Sequence, residues 1–377
     1  MKKLLNLLLA ILVLSLVFTA CDSKKDDANP KDNNDDISDQ EKPVTNDGGS
    51  KNEDAETYSE GLLFEDNGDG TCTLVRIGTC TDTAIYIPKT ADGKKVVEIG
   101  KYAFENNTKI TSIVIPDGIT TINNQAFHGC TSLERVSLPN TLTKIGTSVF
   151  AGCKSLKEIT LPNGLEVIEN STFSACTSLT SIKLPNSVKS IGSYAFSESA
   201  ITEIDLGDGL VTIDRQAFRD CSALCKITLP ATTKSIGEYA FKGCTSLASF
   251  TFNMGLETIG KYAFGDCALT EVTLPSSITK IEKGIFHHNT QLVTATINAQ
   301  ISEITEDCFY ECSSLTTVNI PASVSDFGWL AMAYCPALQT INFAGTKSQW
   351  QSISKCSDWH NSSGNTVVKC ADGNLSI

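Results

Sequence analysis

A phenylalanine returns every 23 residues through most of this chain. Phe104, Phe127, Phe150, Phe173, Phe196, Phe218, Phe241, Phe264, Phe286 and Phe309 mark the series, with steps of 22 after Phe196 and Phe264, and Met332 takes the next place. Each short step follows a unit whose turn has lost one residue, "SESAITEI" in one case and "GDCALTEV" in the other. A fixed period of roughly 20–50 residues is the sequence signature of a repeat architecture.

Between the landmarks the pattern is C-x-S-L-x-x-I-x-L-P-x-x-L/V-x-x-I-G-x-x-A-F-x-x. Leu179, Ile182 and Leu184 show how a unit folds. Ile182 and Leu184 alternate as a strand requires, and Pro185 lacks the N–H needed to continue the ladder. Val188 and Ile191 follow, then Gly192, and Ala195-Phe196 is expected to make one helical turn. The apolar side chains of a single unit point one way, so one unit has no core. Stacked units share one, each coil covering its neighbour.

This pattern resembles the leucine-rich repeat superfamily, and within it the 23-residue BspA-like class found on bacterial surface proteins. The resemblance covers roughly residues 58–377 in eleven matching units. It implies a β-rich repeat solenoid, a right-handed coil with short helical turns and a cap at each end. After Leu138 the chain runs Pro139-Asn140-Thr141-Leu142, one residue out of step with the general leucine-rich pattern. "GLLFEDNGDGTCTLVRIGTC" carries an Asn67-Gly68-Asp69-Gly70 turn between apolar runs, a hairpin signal. It resembles the family's N-terminal cap, and Ile85 and Ile87 already read as the first coil. "INFAGTKSQWQSI", with Trp350, resembles the C-terminal cap. The expected segments are a signal peptide at 1–20, a tether at 21–56, the N-terminal cap with the first coil at 57–98, repeats at 99–343 and the C-terminal cap at 344–377. Parallel strands stack about 4.8 Å apart, so eleven coils should span roughly 50 Å.

The chain opens with Lys2 and Lys3, an apolar run from Leu4 to Phe18 and then small residues, the layout of a secretory signal. The run is short for a membrane span, which needs about 20 apolar residues. Phe18-Thr19-Ala20-Cys21 resembles a bacterial lipobox, although Phe18 replaces the usual Leu. The resemblance implies that Cys21 is lipidated and becomes the mature N-terminus, anchoring the protein to a membrane. Beyond it, residues 22–60 hold 13 acidic and 5 basic residues. Residues 22–56 have no aromatic side chain and too little apolar surface to repay ordering. "DSKKDD" just after Cys21 looks like the acidic export signal that sends some Gram-negative lipoproteins to the outer face.

The chain has 15 cysteines. Cys130, Cys153, Cys176, Cys221, Cys244, Cys267, Cys312 and Cys335 each sit three residues after a landmark; Asn107, Ser199 and Asn289 take that place elsewhere. Equal spacing puts these side chains in one row inside the stack. A small, weakly donating thiol suits a tight interior turn, so the row reads as a buried ladder rather than a disulfide framework. Cys308 holds the Ala position before Phe309 and reads as core. Cys72 with Cys80, and Cys356 with Cys370, are spaced so that either pair could form a cap disulfide.

No catalytic arrangement emerges. His128 and His287 follow landmark residues directly and are expected on exposed turns, and His287-His288 reads as solvated rather than metal-binding. Glu203 and Asp205 share a strand face, as acids commonly do on solvent-facing strands. No dense basic block offers a nucleic-acid site, and nothing in the sequence demands a cofactor or metal. That leaves surfaces. The residues flanking the middle apolar residue of each strand should face outward, forming a strip charged in its middle coils (Arg135, Glu158, Lys183, Glu203, Asp205, Lys226, Glu271) and rich in Thr and Asn further on. Solenoids bind along such faces. The BspA-like resemblance implies adhesion through extracellular protein partners such as matrix components or other cells; a glycan-binding or envelope-scaffold role is the other reading. Tyr102, Tyr194, Tyr239 and Tyr262, each two residues before a landmark, form a second candidate row, expected to pack between coils.

Overall fold

The structure, a computed structural model, describes residues 58–377. The expected signal peptide, Cys21 and the acidic tether lie outside the described residues. The rest is a β-solenoid of about 13 turns with almost no helix.

Two parallel ladders run its length. The first begins with Ala84–Tyr86, Ser112–Val114, Arg135–Ser137 and Glu158–Ile159, and resumes in Ser181–Lys183, Glu203–Asp205 and Lys226–Ile227. It continues from Glu271–Leu274 through Thr294–Ile297, Thr317–Ile320, Thr340–Phe343 and Val367–Cys370. The registers pair equivalent positions of successive coils, Ile182 with Ile204 and Ile204 with Ile227, so each apolar residue meets its own counterpart. At the coil between Lys226–Ile227 and Glu271–Leu274 only an isolated bridge, Thr228 to Thr251, remains. There Phe250 and Phe252 stand where other coils place Ile and Leu. Both rings wedge edge-on against Phe264, at 4.6 and 5.3 Å, and the one bridge left still joins equivalent positions of the two coils.

The second ladder is built from the L/V-x-x-I segments, which alternation alone does not mark as strands. Two-residue pieces such as Ser190–Ile191, Thr212–Ile213 and Ser235–Ile236 pair in parallel from coil to coil. They are short because only the Ile points inward and the chain turns at once.

The third side corrects the expected helical turn. Among the described residues, helix is confined to Lys347–Ser352 in the C-terminal cap. In all eleven repeats the residue two before the landmark and the residue two after it have positive φ, as at Gln125 (59°) and Gly129 (69°), or Tyr194 (59°) and Glu198 (60°). A left-handed residue reverses the next peptide, so alternate amides leave the coil. The amides of Gln125, Phe127 and Gly129 donate to the carbonyls of Thr147, Val149 and Ala151 one coil on, at 2.8–3.0 Å. Those of Ala126, His128 and Cys130 close tight turns within their own coil. A right-handed helix would spend every bond internally. Most of the left-handed positions are not glycine, and each such residue costs of order 1 kcal/mol, offset here by a satisfied amide.

The core is one column. The landmark rings from Phe104 to Phe309 stack face to face with centroids 5.1–6.0 Å apart, close to the strand spacing of about 4.8 Å. The widest and most tilted step, Phe264 to Phe286 at 30°, is the one beside Phe252. The ends are closed by antiparallel hairpins, Leu63–Asp66 with Thr71–Arg76 and Val367–Cys370 with Gly373–Ser376. The C-terminal cap adds Trp350, buried against Phe327 and Phe343.

Phe218 is fully buried and stacks on Phe196 and Phe241 at 5.2 Å each. Phe218→Ala should cost about 3–5 kcal/mol, read from the shift in the urea unfolding midpoint. A change below about 1 kcal/mol would mean that the column does not hold the coils together.

Candidate binding surfaces

The thiol row is geometrically regular. All eight cysteines of the ladder are buried. Each Sγ lies 3.0–3.3 Å from the carbonyl oxygen of the landmark Phe one coil earlier: Cys130 donates to Phe104, Cys153 to Phe127, Cys221 to Phe196 and Cys335 to Phe309. That carbonyl also accepts an amide of its own coil, as Phe127 accepts from Cys130. The thiol therefore takes the second lone pair of a carbonyl with no water to bond. Asn289 does the same work with its amide, donating to Phe264 at 2.7 Å and Phe286 at 3.0 Å. Burial pushes these thiols up, to about 12 at Cys130, Cys176 and Cys335 and about 11 at Cys221. Cys308 is buried as well, and Cys225, half-buried, donates to the Thr202 carbonyl at 3.5 Å. The cap pairs that could have been disulfides are open: Cys72, Cys80, Cys356 and Cys370 all carry free thiols, with Cys72 directed at the Lys94 carbonyl.

Among the described residues of the native protein, a thiol reagent at mildly alkaline pH should therefore react at Cys356 and the half-buried cysteines only. The ladder should titrate only after denaturation. Rapid reaction of all thiols in the native state would show that the row is accessible.

The seven charged residues of the strip, Arg135, Glu158, Lys183, Glu203, Asp205, Lys226 and Glu271, are all exposed on the first ladder. Neighbouring coils set opposite signs side by side. Arg135 faces Glu158 at 4.0 Å, Lys183 holds Asp205 at 2.9 Å, and Glu203 is in register with Lys226. The Lys183 ammonium, with the Gly207 amide, holds the Asp205 carboxyl below its usual range. Pairs this exposed add little stability. Over these coils the strip is concave, a shallow depression of about 570 Å³ flanked by Glu158, Lys183, Asp205 and Lys226. Glu271 lies beyond the break at Phe250. Further on, side-chain bonds run along the ladder from Asn342 to Asn319 (2.7 Å) and from Asn319 to Thr296 (2.8 Å).

The turn side carries a cluster that sequence reasoning missed. Gly284 takes the position two before Phe286, where a Cβ would overlap the ring of Tyr262. Tyr262 therefore lies across the gap, and its hydroxyl donates to Asp307, two coils away, at 2.7 Å. Lys283 bridges Glu306 (2.7 Å) and Asp307 (3.5 Å), and Lys242 binds Asp266 at 2.6 Å. His288 joins three coils, with Nδ1 2.7 Å from Asp266 and Nε2 3.7 Å from Glu311. Burial works against the Asp266 charge, yet the bonds from Lys242 and His288 prevail and hold its carboxyl low. His287 is not on an exposed turn. It is half-buried, stacked on Tyr310 at 5.2 Å and edge-on to Tyr262 at 5.3 Å, and burial lowers its pKa. His128 is likewise half-buried. Tyr239 stacks on Tyr262 at 5.6 Å, whereas Tyr102 and Tyr194 are exposed. Among the described residues no His, Cys, Asp and Glu group is arranged to hold a metal ion, and no helix is long and apolar enough to cross a membrane.

Burial, followed by the bond to Asp307, pushes the Tyr262 phenol up from 10 to about 12. A raised acid stabilises the fold in its protonated form, so this contribution is complete below pH 10 and is lost as pH rises through about 12. Tyrosinate absorbance should show a late-ionising phenol, and Asp307→Asn should bring that transition to lower pH. A titration unchanged by Asp307→Asn would refute the contact.

Stacked coils of this period, paired in parallel register around a phenylalanine column, match a known family. The profile of the BspA type leucine rich repeat region fits residues 97–225 and 211–339. The chain belongs to that family. Among solved structures, this BspA-type chain is similar to a leucine-rich repeat protein from Bacteroides ovatus, 24% identical, with a TM-score of 0.62 over 83% of this chain and 90% of that one. It is also similar to a leucine rich cell surface protein from Faecalibacterium prausnitzii, 26% identical, with a TM-score of 0.51 over 79% of this chain and 97% of that one. No curated protein matches it.

Proposed function

We propose that this BspA-type protein is a non-enzymatic cell-surface lipoprotein, anchored through Cys21, that binds an extracellular protein of a host matrix or another cell along the first ladder. The observation that carries this reading is the concave, charged stretch over Glu158, Lys183, Asp205 and Lys226. Rigid, regularly spaced strands present it, and extended solenoid faces of this kind are binding surfaces. Its charges are exposed and its ion pairs, Arg135 with Glu158 and Lys183 with Asp205, lie at the surface, so a partner can exchange those pairs for its own without uncovering a buried ion. Mixed signs over a short span favour a protein partner of complementary pattern, with charge acting mainly on association rate and selectivity. The similarity to a leucine rich cell surface protein, the signal-like first residues and the lipobox-like stretch before Cys21 support display at the cell surface.

The test is binding of the full chain, held in detergent, to immobilised matrix proteins, beside a variant with Arg135, Glu158, Lys183, Glu203, Asp205 and Lys226 changed to Ser. At least one matrix protein should bind, with affinity reduced at least about tenfold in the variant (about 1.4 kcal/mol) and falling with added salt. Undiminished binding by the variant would move the site off this face. Failure to bind any matrix protein would leave the fold intact and remove the adhesive role.

A further inference from the structure

Exposed tyrosines stand on both faces, Tyr86 on the first ladder and Tyr102, Tyr194 and Tyr334 on the turn side, but the row two residues after each landmark holds a tyrosine only in the last coil. In the row two residues after the landmark, earlier coils carry Asn106, Gly129, Gly152, Ala175, Glu198, Asp220, Gly243 and Asp266. The last three coils carry His288, Glu311 and Tyr334. Beside this row runs a second, two positions further along each coil, holding Thr290, Ser313 and Pro336. The two rows, with Ser362, line a shallow, open groove of about 340 Å³. The phenol of Tyr334 is 42% exposed. Tyr310 braces it edge-on at 5.4 Å, and His287 stacks behind Tyr310. Glu311 lies between the imidazole of His288, 3.7 Å away, and the Tyr310 hydroxyl, whose phenol is pushed up by burial and by the bond to that carboxylate.

We propose that this groove is a carbohydrate-binding site for neutral hexopyranosides. A pyranose has an apolar face of C–H bonds and a rim of hydroxyls, and needs an aromatic plane for one and paired donors and acceptors for the other. Tyr334 supplies a braced aromatic plane, amphipathic and costing little entropy to hold. Glu311 accepts from ring hydroxyls as a charge-assisted acceptor, His288 offers an adjustable donor, and Thr290, Ser313 and Ser362 can both give and accept. The volume is at the small end of ligand clefts, about 300–1,000 Å³, and fits one or two sugar rings. Charge sets the selectivity. The nearby ammonium groups are already engaged, Lys242 with Asp266 and Lys283 with Glu306, so a sialic or uronic acid would bring its carboxylate beside Glu311 without a counter-charge. The site is independent of the first ladder, on another side of the coil.

The experiment is a glycan array probed with the full chain, followed by calorimetry with the neutral and acidic oligosaccharides that bind. Three variants accompany it: Tyr334→Ala, Glu311→Gln, and Tyr102→Ala, an exposed tyrosine near the N-terminal end. Neutral glycans should bind, with affinity falling at least tenfold in Tyr334→Ala and Glu311→Gln and unchanged in Tyr102→Ala. Both target residues are on the surface, so melting temperatures should match the parent; a variant that melts early is replaced by Tyr334→Leu or Ser313→Val and read by the same criterion. Binding to no neutral glycan, preference for acidic glycans, or affinity indifferent to Tyr334 and Glu311 would each overturn the proposal.

Discussion

The backbone bond from one coil to the next governs this molecule. On all three sides of each turn, amides point along the solenoid axis to the neighbouring coil. On two sides this needs only short strands. On the third it needs left-handed residues two before and two after each landmark Phe, and the chain accepts that conformational cost in every repeat. The rest follows from this registry. Once equivalent residues must stack at strand spacing, a phenylalanine meets a phenylalanine, and each thiol meets the free lone pair of a carbonyl one coil back. Where Asn289 replaces the thiol, its side-chain amide donates to the same carbonyl. The same registry persists at Phe250 and Phe252, where the rings turn edge-on to Phe264 and the ladder thins to the single bridge from Thr228 to Thr251.

The sequence shows plainly what is periodic and apolar. The landmark series, the strand ended by Pro185 and the interior cysteine row can all be read from spacing. The second ladder is less visible, because Thr212–Ile213 or Ser235–Ile236 is too short to show alternation. The turn side is misleading for a different reason. Its left-handed positions are filled by Tyr, Gln, Ser and Asp rather than by Gly alone, so local propensity suggests an ordinary helical turn, and only the demand for bonds between coils overrides it. His287 looks solvent-facing by position yet lies under Tyr310, a contact made by residues a whole coil apart. The Tyr262–Asp307 bond had one available signal, the substitution of Gly284 in a row of larger residues. Its meaning depends on which way a neighbouring ring falls, and a single sequence does not encode that visibly.

Two faces of the solenoid divide their chemistry. The first ladder places exposed charges in pairs over a shallow concavity and then shifts to bonded Thr and Asn. The turn side carries tyrosines and ion pairs from its first coils onward, and at its C-terminal end Gly284 lets Tyr262 recline and ion pairs join several coils. Repeats make such specialisation possible at low risk. Outward positions are free of the core, so each coil can change its surface residues while the inward ones stay fixed.

The hairpins at the two ends have a consequence for how such a chain can change over generations. Each cap contacts only the coil beside it, and every coil offers its neighbours the same pattern of amides, carbonyls and rings. Removing or duplicating a whole period leaves both caps facing a surface they already fit. Length is thus a heritable variable separable from fold, and recombination between repeats can lengthen or shorten the solenoid without requiring any new core.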